Sequence, residues 1–473
     1  MSHAQVVVVG GGISGLAAAW ELSQRVPDAR ICVLDASDRP GGKLRLETVA
    51  GTPIDVGAES MLARRPEAVG LVEEIGAAAL LTHPATAAAA VWSRGGLHPL
   101  PKGTLMGIPG DPQAALGLLT PGEVGRACDE APWPGGTVHA DVSVGEYVAA
   151  RLGTAVVDRL VEPLLGGVYA GHAGRLSLEA CVPVLFEVAR SGGSLTGAAQ
   201  AASRAAAANT SPVFAGLVGG MGRLPELLVA ALADRGVEIR SGTIARELHR
   251  RSRGGWTVVT GPRPAPELLD ADAVVLAVPA APTSRLLRDL APVAATELAG
   301  IDYASMAIVT LAVARDGLGE LPGSGFLVPP VDGRGIKAST FSSNKWAWVA
   351  SASKDACFLR ASVGRAGEEA DLQRPDSDLV ALAVDEVGQA LGRPLTPLLD
   401  AHVQRWGGGL PQYAVGHRSR IARVRAAVAD LPGLELAGAA YDGVGIPACV
   451  GSGRAASVAV ATHLMATSAA GGQ

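Results

Sequence analysis

Lysine is scarce in this chain of 473 residues: only Lys43, Lys102, Lys337, Lys345 and Lys354 occur among its 40 basic residues, so nearly every fixed cation is a guanidinium suited to carboxylates. Aromatic residues make up 4%. The five cysteines, Cys32, Cys128, Cys181, Cys357 and Cys449, lie far apart, with no C-x-x-C pair and an odd total, which predicts neither a disulfide framework nor a zinc site. A net charge of −5 and a pI near 6.0 argue against a nucleic-acid footprint. No apolar run reaches membrane-spanning length, and the first one enters a glycine turn with no basic segment before it, the pattern of a strand rather than a signal peptide. The expectation is a cytoplasmic protein with at most peripheral membrane contact. Hydrolase and metal motifs (G-x-S-x-G, H-E-x-x-H, a Walker A lysine, paired metal ligands) are missing, so no metal is expected, and the nine histidines are scattered. Whatever chemistry there is falls to an organic cofactor.

What the chain does have is a hydrophobic content of 48% against 18% charged residues, which excludes wholesale disorder, and a length that predicts two or three domains. Its organising stretch is QVVVVGGGISGL, from Gln5 to Leu16. Four valines bounded by glycines predict a strand buried on both faces, and AAAWELSQR predicts the helix that follows. Gly10, Gly12 and Gly15 have the G-x-G-x-x-G spacing, in which the turn lets a pyrophosphate approach the backbone and the helix start supplies N–H donors. A second strand, RICVLDAS, ends at Asp35, where an acidic side chain suits ribose hydroxyls. These residues leave NAD and FAD both open.

Arg39, Gly41, Gly42 and Lys43 form a basic loop able to approach phosphates, and IDVGAESML predicts a short strand running into the small residues around Gly57, where a flat ring could lie. Residues 64–78 have a helical pattern; residues 89–112 predict a hairpin and loop. From about residue 116 to 196 the period is helical, with Ser143 and Glu146 spaced as a capping box and a helix continuing to the glycine pair at 166–167. The stretch SGGSLTGAAQAASRAAAANTSP predicts a low-complexity, mobile segment, part of which could be helical. From Val213, FAGLVGGMGRLPELLVAALADRG carries apolar residues at helical spacing, GVEIRSGTIARELHRRSRGGWTVVT follows as two or three strands, and LLDADAVVLAVPA predicts one buried strand; residues 282–427 mix strands such as MAIVTLAVA with the helix DLVALAVDEVGQAL. The last strand, GLELAGAAY, leads through a glycine turn into a final helix.

The motifs GGGISGL with Asp35, RPGGK, DVGAES and GAAYDGVGIPACVGSGRAA resemble those of the flavin amine oxidase and phytoene desaturase superfamily. LHPLPKGTLMGIP, EPLLGGVYAG with LSLEA, STFSSNKW and RWGGGLPQYAVGH narrow the resemblance to the oxygen-dependent coproporphyrinogen III and protoporphyrinogen IX oxidases, in their soluble bacterial branch, and it extends over nearly the whole chain. Ala58 departs from the proline usual there. The resemblance implies an α/β (α+β overall) fold: a Rossmann-like FAD-binding domain from residues 1–90, 211–281 and 428–473, a helical, membrane-binding-like insertion at 91–210, and a mixed-sheet substrate domain at 282–427.

It further implies FAD contacts at Gly10, Gly11, Gly12, Ile13, Ser14, Gly15 and Leu16, at Asp35 and Ala36, and at Arg39, Gly42 and Lys43. Gly57, Ala58, Glu59, Ser60 and Trp406 would meet the flavin ring, Ile244 and Ala277 the adenine side, and Val444, Gly445 and Ile446 the pyrimidine edge. No side chain is assigned as catalytic acid or base. The implied reaction removes a hydride from a methylene bridge and a proton from a pyrrole nitrogen three times over, with tautomerisation to the aromatic porphyrin, and oxygen is reduced to hydrogen peroxide each time. A porphyrinogen needs a wide slot with cations for its propionates, for which Arg64, Arg94, Lys102 and Lys345 are candidates, beside Gly167, Tyr169, Ala170 and Gly171. Coproporphyrinogen III is the expected substrate, protoporphyrinogen IX the nearest alternative, and a non-catalytic flavoprotein that carries porphyrin a more distant one. Transient hand-over of product to the next enzyme of haem synthesis fits this reading. The aromatic cage that an amine substrate would want has little support at 4% aromatics.

Overall fold

The computed structural model describes residues 4–209 and 211–471; the outermost residues of the expected cofactor segments (1–3, 472–473), and residue 210 of the helical insertion, lie outside these. The valine run forms the central strand, Gln5–Val9, of a five-stranded parallel sheet in the order Glu238–Arg240, Arg30–Leu34, Gln5–Val9, Ala273–Leu276, Leu434–Leu436. Its side chains alternate between two cores, as the two-residue strand period requires. Val6 and Val8 pack with helices Ile13–Arg25, Arg223–Ala233 and Ile446–Gly471 on one face. Val7 and Val9 pack on the other with Trp256 and Leu248 of a small antiparallel sheet and with helices Ala280–Leu287, Pro292–Ala299 and His417–Val428. Burial on both faces explains the uninterrupted β-branched run.

The second sheet has seven strands in the order Leu398–Pro411, Tyr303–Ala314, Ala356–Val363, Ile336–Thr340, Gly325–Leu327, Ala90–Ser93, Gly96–Pro99. Ala307, Val309, Leu311 and Val313 point back onto helix Asp376–Leu391 with Leu359, Ala361 and Val363. The front face therefore carries Met306, Arg360 and Ser362; Ala312 and Phe358 meet Val49 and Ile54 of the hairpin Leu46–Val49 and Thr52–Asp55, and Arg360 reaches Gly57 and Glu59 beyond it. The helical unit between residues 116 and 208 has its own core around Tyr147, Leu160 and Leu185.

Several expectations need correction. The alanine-rich stretch is a helix, Leu195–Ala208, whose N-cap Ser194 accepts from Gly197 N–H; alanine's helix propensity wins over its low complexity. The predicted single strand over 268–280 is two, Glu267–Ala271 and Ala273–Leu276, which belong to different sheets. Ser143 accepts from Glu146 N–H at 3.1 Å without the reciprocal bond from Glu146, and the complete capping box, with both halves, lies instead at Thr120 and Glu123. The helix expected to stop at the glycine pair runs through it to Tyr169, after a π-helical turn at Val157–Val161. Finally, hairpin Ala90–Ser93 and Gly96–Pro99, expected with the helical insertion from residue 91, supplies two strands to the second sheet, while the three helices at 280–299 and 417–428 pack on the first. Among the described residues no helix is long and apolar enough to cross a membrane.

Candidate functional site

All strands of the first sheet point one way, so their carboxyl ends share an edge, and the first strand's neighbours lead off to opposite sides there, leaving a crevice. Gly10 follows the central strand with φ +110, and a Cβ there would sit 2.5 Å from Ala277 O, so the turn accepts glycine only. Gly15 packs equally tightly onto Gly10 O, which fixes the start of helix Ile13–Arg25, with Ser14 and Leu16 buried along it. That helix has no capping side chain, so its first N–H groups face the crevice. Over Gly12, by contrast, a Cβ would meet nothing within 4 Å. Gly11 N–H donates to Asp35 Oδ2 at 2.6 Å and Ser37 N–H to Oδ1 at 2.8 Å, so Asp35, 7% exposed, ties the turn to the second strand and keeps spare acceptor capacity.

Gly42 reaches over Gly12, where its Cβ would lie 3.4 Å from Gly12 Cα. Beside it, Lys43 has no ion-pair partner among the described residues, and burial pushes its ammonium down against a counteracting Cys449. Ala36 and Arg39 follow Asp35 in the chain, Ile244 is 57% exposed next to Thr243, whose N–H donates to Asp35 O at 2.7 Å, and Ala277, just after its strand, donates to Val9 O at 2.7 Å. From the far side, the exposed Gly445, between Val444 and Ile446, opens the final helix, which crosses the first one closely enough that a Cβ on Gly453 would lie 2.1 Å from Ser14 O. An uncapped helix start, open space above a glycine, an unpaired cation and a ribose-ready carboxylate together fit a dinucleotide cofactor.

At the other end of the crevice the two sheets meet. Gly57 accepts no side chain, because its Cβ would lie 1.9 Å from Lys43 O and 3.3 Å from the Trp406 ring. Trp406 Nε1 donates to Val56 O at 3.0 Å, which pins that ring against Gly57, where the segment Gly57, Ala58, Glu59 and Ser60 begins. Glu59 is the hub of this junction: Lys345 Nζ reaches Oε1 at 2.6 Å, Arg360 reaches Oε2 at 2.8 Å, and Arg360 also donates to Gly57 O at 2.6 Å. Burial pushes the Glu59 carboxyl up, but Lys345 and Arg360 outweigh it and hold the group at about 2. Asp55, two residues upstream of Gly57, accepts from Met221 and Gly222 N–H at 2.8 Å each, and burial pushes it up to about 7 despite those bonds.

The candidate substrate residues divide. Tyr169 ends helix Glu162–Tyr169, Ala170 takes the left-handed cap at φ +50, and both neighbour Gln412, whose amide donates to Tyr169 O at 2.7 Å and whose oxygen would meet a Cβ on Gly171. Gly167 faces Leu327 of the second sheet. These four thus sit over the sheet's front face. Lys345 lies at the junction but is held by Glu59. Arg64 is bound to the carbonyls of Asn209 and Ser211, and Arg94 to both oxygens of Glu123 and to Leu118 O, so neither converges with the rest. Lys102 is exposed, beside helix Leu195–Ala208. Sequence reasoning missed Arg360 and Lys337, although a charge inside an otherwise apolar strand, as in FLRASV, is a legible signal.

The family model for flavin containing amine oxidoreductases matches residues 13–461. A protein named coproporphyrinogen III oxidase from Mycobacterium tuberculosis is 38% identical over 464 residues, covering 96% of this chain and 97% of that one. A second of that name from Bacillus subtilis is 32% identical and covers 97% and 98%. Among solved structures, one described as a protoporphyrinogen oxidase from an Exiguobacterium species superposes with a TM-score of 0.84 at 34% identity, covering 98% of this chain and 99% of that one. The chain belongs to the flavin-containing amine oxidoreductase family, in the branch that holds the bacterial coproporphyrinogen III oxidases.

Proposed function

We propose that this protein oxidises coproporphyrinogen III to coproporphyrin III, a six-electron reaction with three oxygen molecules reduced to three hydrogen peroxide. The observation that carries the reading is the junction of Gly57, Trp406 and the front face of the second sheet, seen in a chain that matches coproporphyrinogen III oxidases along almost its whole length. FAD, when bound, accepts hydride and passes electrons to oxygen. The residues at Gly10 to Leu16, Asp35, Ala36, Arg39, Gly42 and Lys43 would hold its adenosine diphosphate half, with Ile244 and Ala277 on the adenine side. Gly57 to Ser60, Trp406 and Val444 to Ile446 would bracket its ring.

In this reading the first sheet with 1–90, 211–281 and 428–473 is the cofactor unit, 91–210 the helical insertion and 282–427 the substrate unit, the hairpin at 90–99 bridging the last two. The Glu59 hub clamps the ring-facing loop onto the substrate sheet, and the helix end at Tyr169 to Gly171 closes the slot from above. The macrocycle is thereby held flat over the ring while its carboxylates reach outward toward solvent and cations such as Lys102. Protoporphyrinogen IX is the second reading, favoured by the name of the Exiguobacterium structure. The deciding assay supplies both porphyrinogens to the FAD-loaded protein under air and follows porphyrin fluorescence and peroxide. A higher kcat/KM for coproporphyrinogen III is expected; a preference for protoporphyrinogen IX selects the second reading, and a protein that does not retain FAD overturns both.

A further inference from the structure

Lys337 lies in strand Ile336–Thr340, where the pairing with Ala356–Val363 slips by one residue between Ile336 and Ala338. Ile336 occupies the core behind the sheet, and the extra residue turns Lys337 to the front, where Nζ lies 3.8 Å from Met306 Sδ. Met306 is the cross-strand partner of Trp406, whose ring runs along Gly57. Lys337 is thus linked to the expected flavin ring through Met306 and Trp406, and it lies under helix Glu162–Tyr169, which meets the neighbouring Leu327 through Gly167.

Its surroundings are unusual for a cation. Lys337 is 6% exposed, and its Nζ donates to Gly364 O at 2.9 Å with no carboxylate paired to it among the described residues. The neighbouring Arg365 donates to Val328 O and lies 3.6 Å from Glu368, which His172 approaches at 3.5 Å. From the helix above, Glu162 accepts from Ala173 N–H, and behind the strand Glu386 accepts from the N–H groups of Gly335 and Ile336. Burial first and Arg365 second push the Lys337 amine down to about 7, against the pull of Glu368. A fixed carboxylate clamp would be expected to keep its charge, whereas a buried amine that is part neutral at physiological pH has a lone pair to offer.

We propose that Lys337 is the catalytic base that accepts a pyrrole N–H proton from the bound porphyrinogen, an inference that rests on the function proposed above. In each round the substrate loses a hydride from a methylene bridge; the pyrrole N–H bond breaks, its proton joins the Lys337 lone pair, and its electron pair forms the new C=N bond. The two electrons end on dioxygen, which takes the proton that left with the hydride and the proton held by Lys337, and departs as hydrogen peroxide. The amine is then neutral again for the next of three rounds. Three rounds remove three C–H and three N–H hydrogens, and one tautomerisation, in which the last methylene bridge gives a proton back to a ring nitrogen, completes the net loss of four C–H and two N–H hydrogens that makes the porphyrin.

The test uses FAD-loaded Lys337→Met and Lys337→Arg with coproporphyrinogen III. Both should lose about 100-fold in kcat, with KM within about threefold, and both should lack the rise of kcat with pH through about 7 that the wild type shows. Activity within about threefold of wild type, or an intact rise with pH in either variant, overturns the proposal. A second measurement needs no variant: trace acetylation of the wild-type holoenzyme with acetic anhydride, read by mass spectrometry. Lys337 should become reactive near pH 7, well below the exposed Lys354, and coproporphyrin III should protect it. Unreactive Lys337, or no protection, overturns the proposal even if the variants fail to retain FAD. A wild type that forms no porphyrin refutes the proposed function instead; a wild type that turns over beside unimpaired variants refutes only the role of Lys337.

Discussion

Replacing Glu59 by glutamine should destabilise the protein in a pH-dependent way. The carboxylate is held by Lys345 at 2.6 Å and Arg360 at 2.8 Å with 11% of its side chain exposed, and its value falls from an ordinary 4.5 to about 2. At about 1.4 kcal/mol per pH unit, that shift corresponds to about 3 kcal/mol, inside the range of about 3–5 kcal/mol for breaking a buried pair by removing one partner. Because the folded value is depressed, the contribution is complete above the unfolded value near 4.5 and is lost as pH falls toward 2. Urea unfolding of wild type and Glu59→Gln should therefore differ by about 3 kcal/mol at pH 7, and by far less at pH 3, where the wild-type advantage is fading. In Glu59→Gln with Lys345→Met the loss should be smaller than in Glu59→Gln alone, since one stranded cation is gone. A difference below about 1 kcal/mol at pH 7, or one that persists undiminished at pH 3, would refute the hub.

Two glycines of one turn should fail differently. Gly10→Ala meets Ala277 O at 2.5 Å in a left-handed conformation and should destabilise the apoprotein as measured by thermal unfolding, whereas Gly12→Ala meets nothing within 4 Å and should leave the apoprotein unchanged while weakening FAD binding by fluorescence titration. Trp406→Phe removes the 3.0 Å bond to Val56 O and should cost about 1 kcal/mol, with a raised FAD Kd, measured by the same two methods. His417, stacked on Tyr413 at 4.0 Å, is pushed by burial from 6.5 to about 4. Stability should hold above pH 6.5 and decline toward pH 4, a slope that urea unfolding should find flattened in His417→Gln.

The cofactor half of the protein was legible because its constraints are local. Gly10, Gly12 and Asp35 lie within one strand, turn and strand, so spacing alone carries the geometry, and the valines announce a strand covered on both faces. The substrate half depends on pairings between distant segments. Arg94 lies just before the motif LHPLPKGTLMGIP, yet its guanidinium is bound to Glu123 and Leu118, contacts that no spacing within or beside the motif encodes. Arg360 and Lys345 meet on Glu59 only because residues about 300 positions apart are brought together by two sheets.

Lys337 shows the limit most sharply. Strict alternation counted back from Ser339, whose partner Ala361 faces the rear core, would put Ala338 in front and Lys337 behind, among the apolar residues that contact helix Asp376–Leu391. A lysine there would be an unpaired charge in hydrocarbon, at a cost that argues against the strand itself. The one-residue slip resolves the conflict by giving the rear position to Ile336 and the front to Lys337. The sequence clue to the bulge is therefore the lysine: in a strand whose rear face must be apolar, an ammonium at a rear-facing count forces an extra residue into the register and delivers the charge to the side where a substrate can use it.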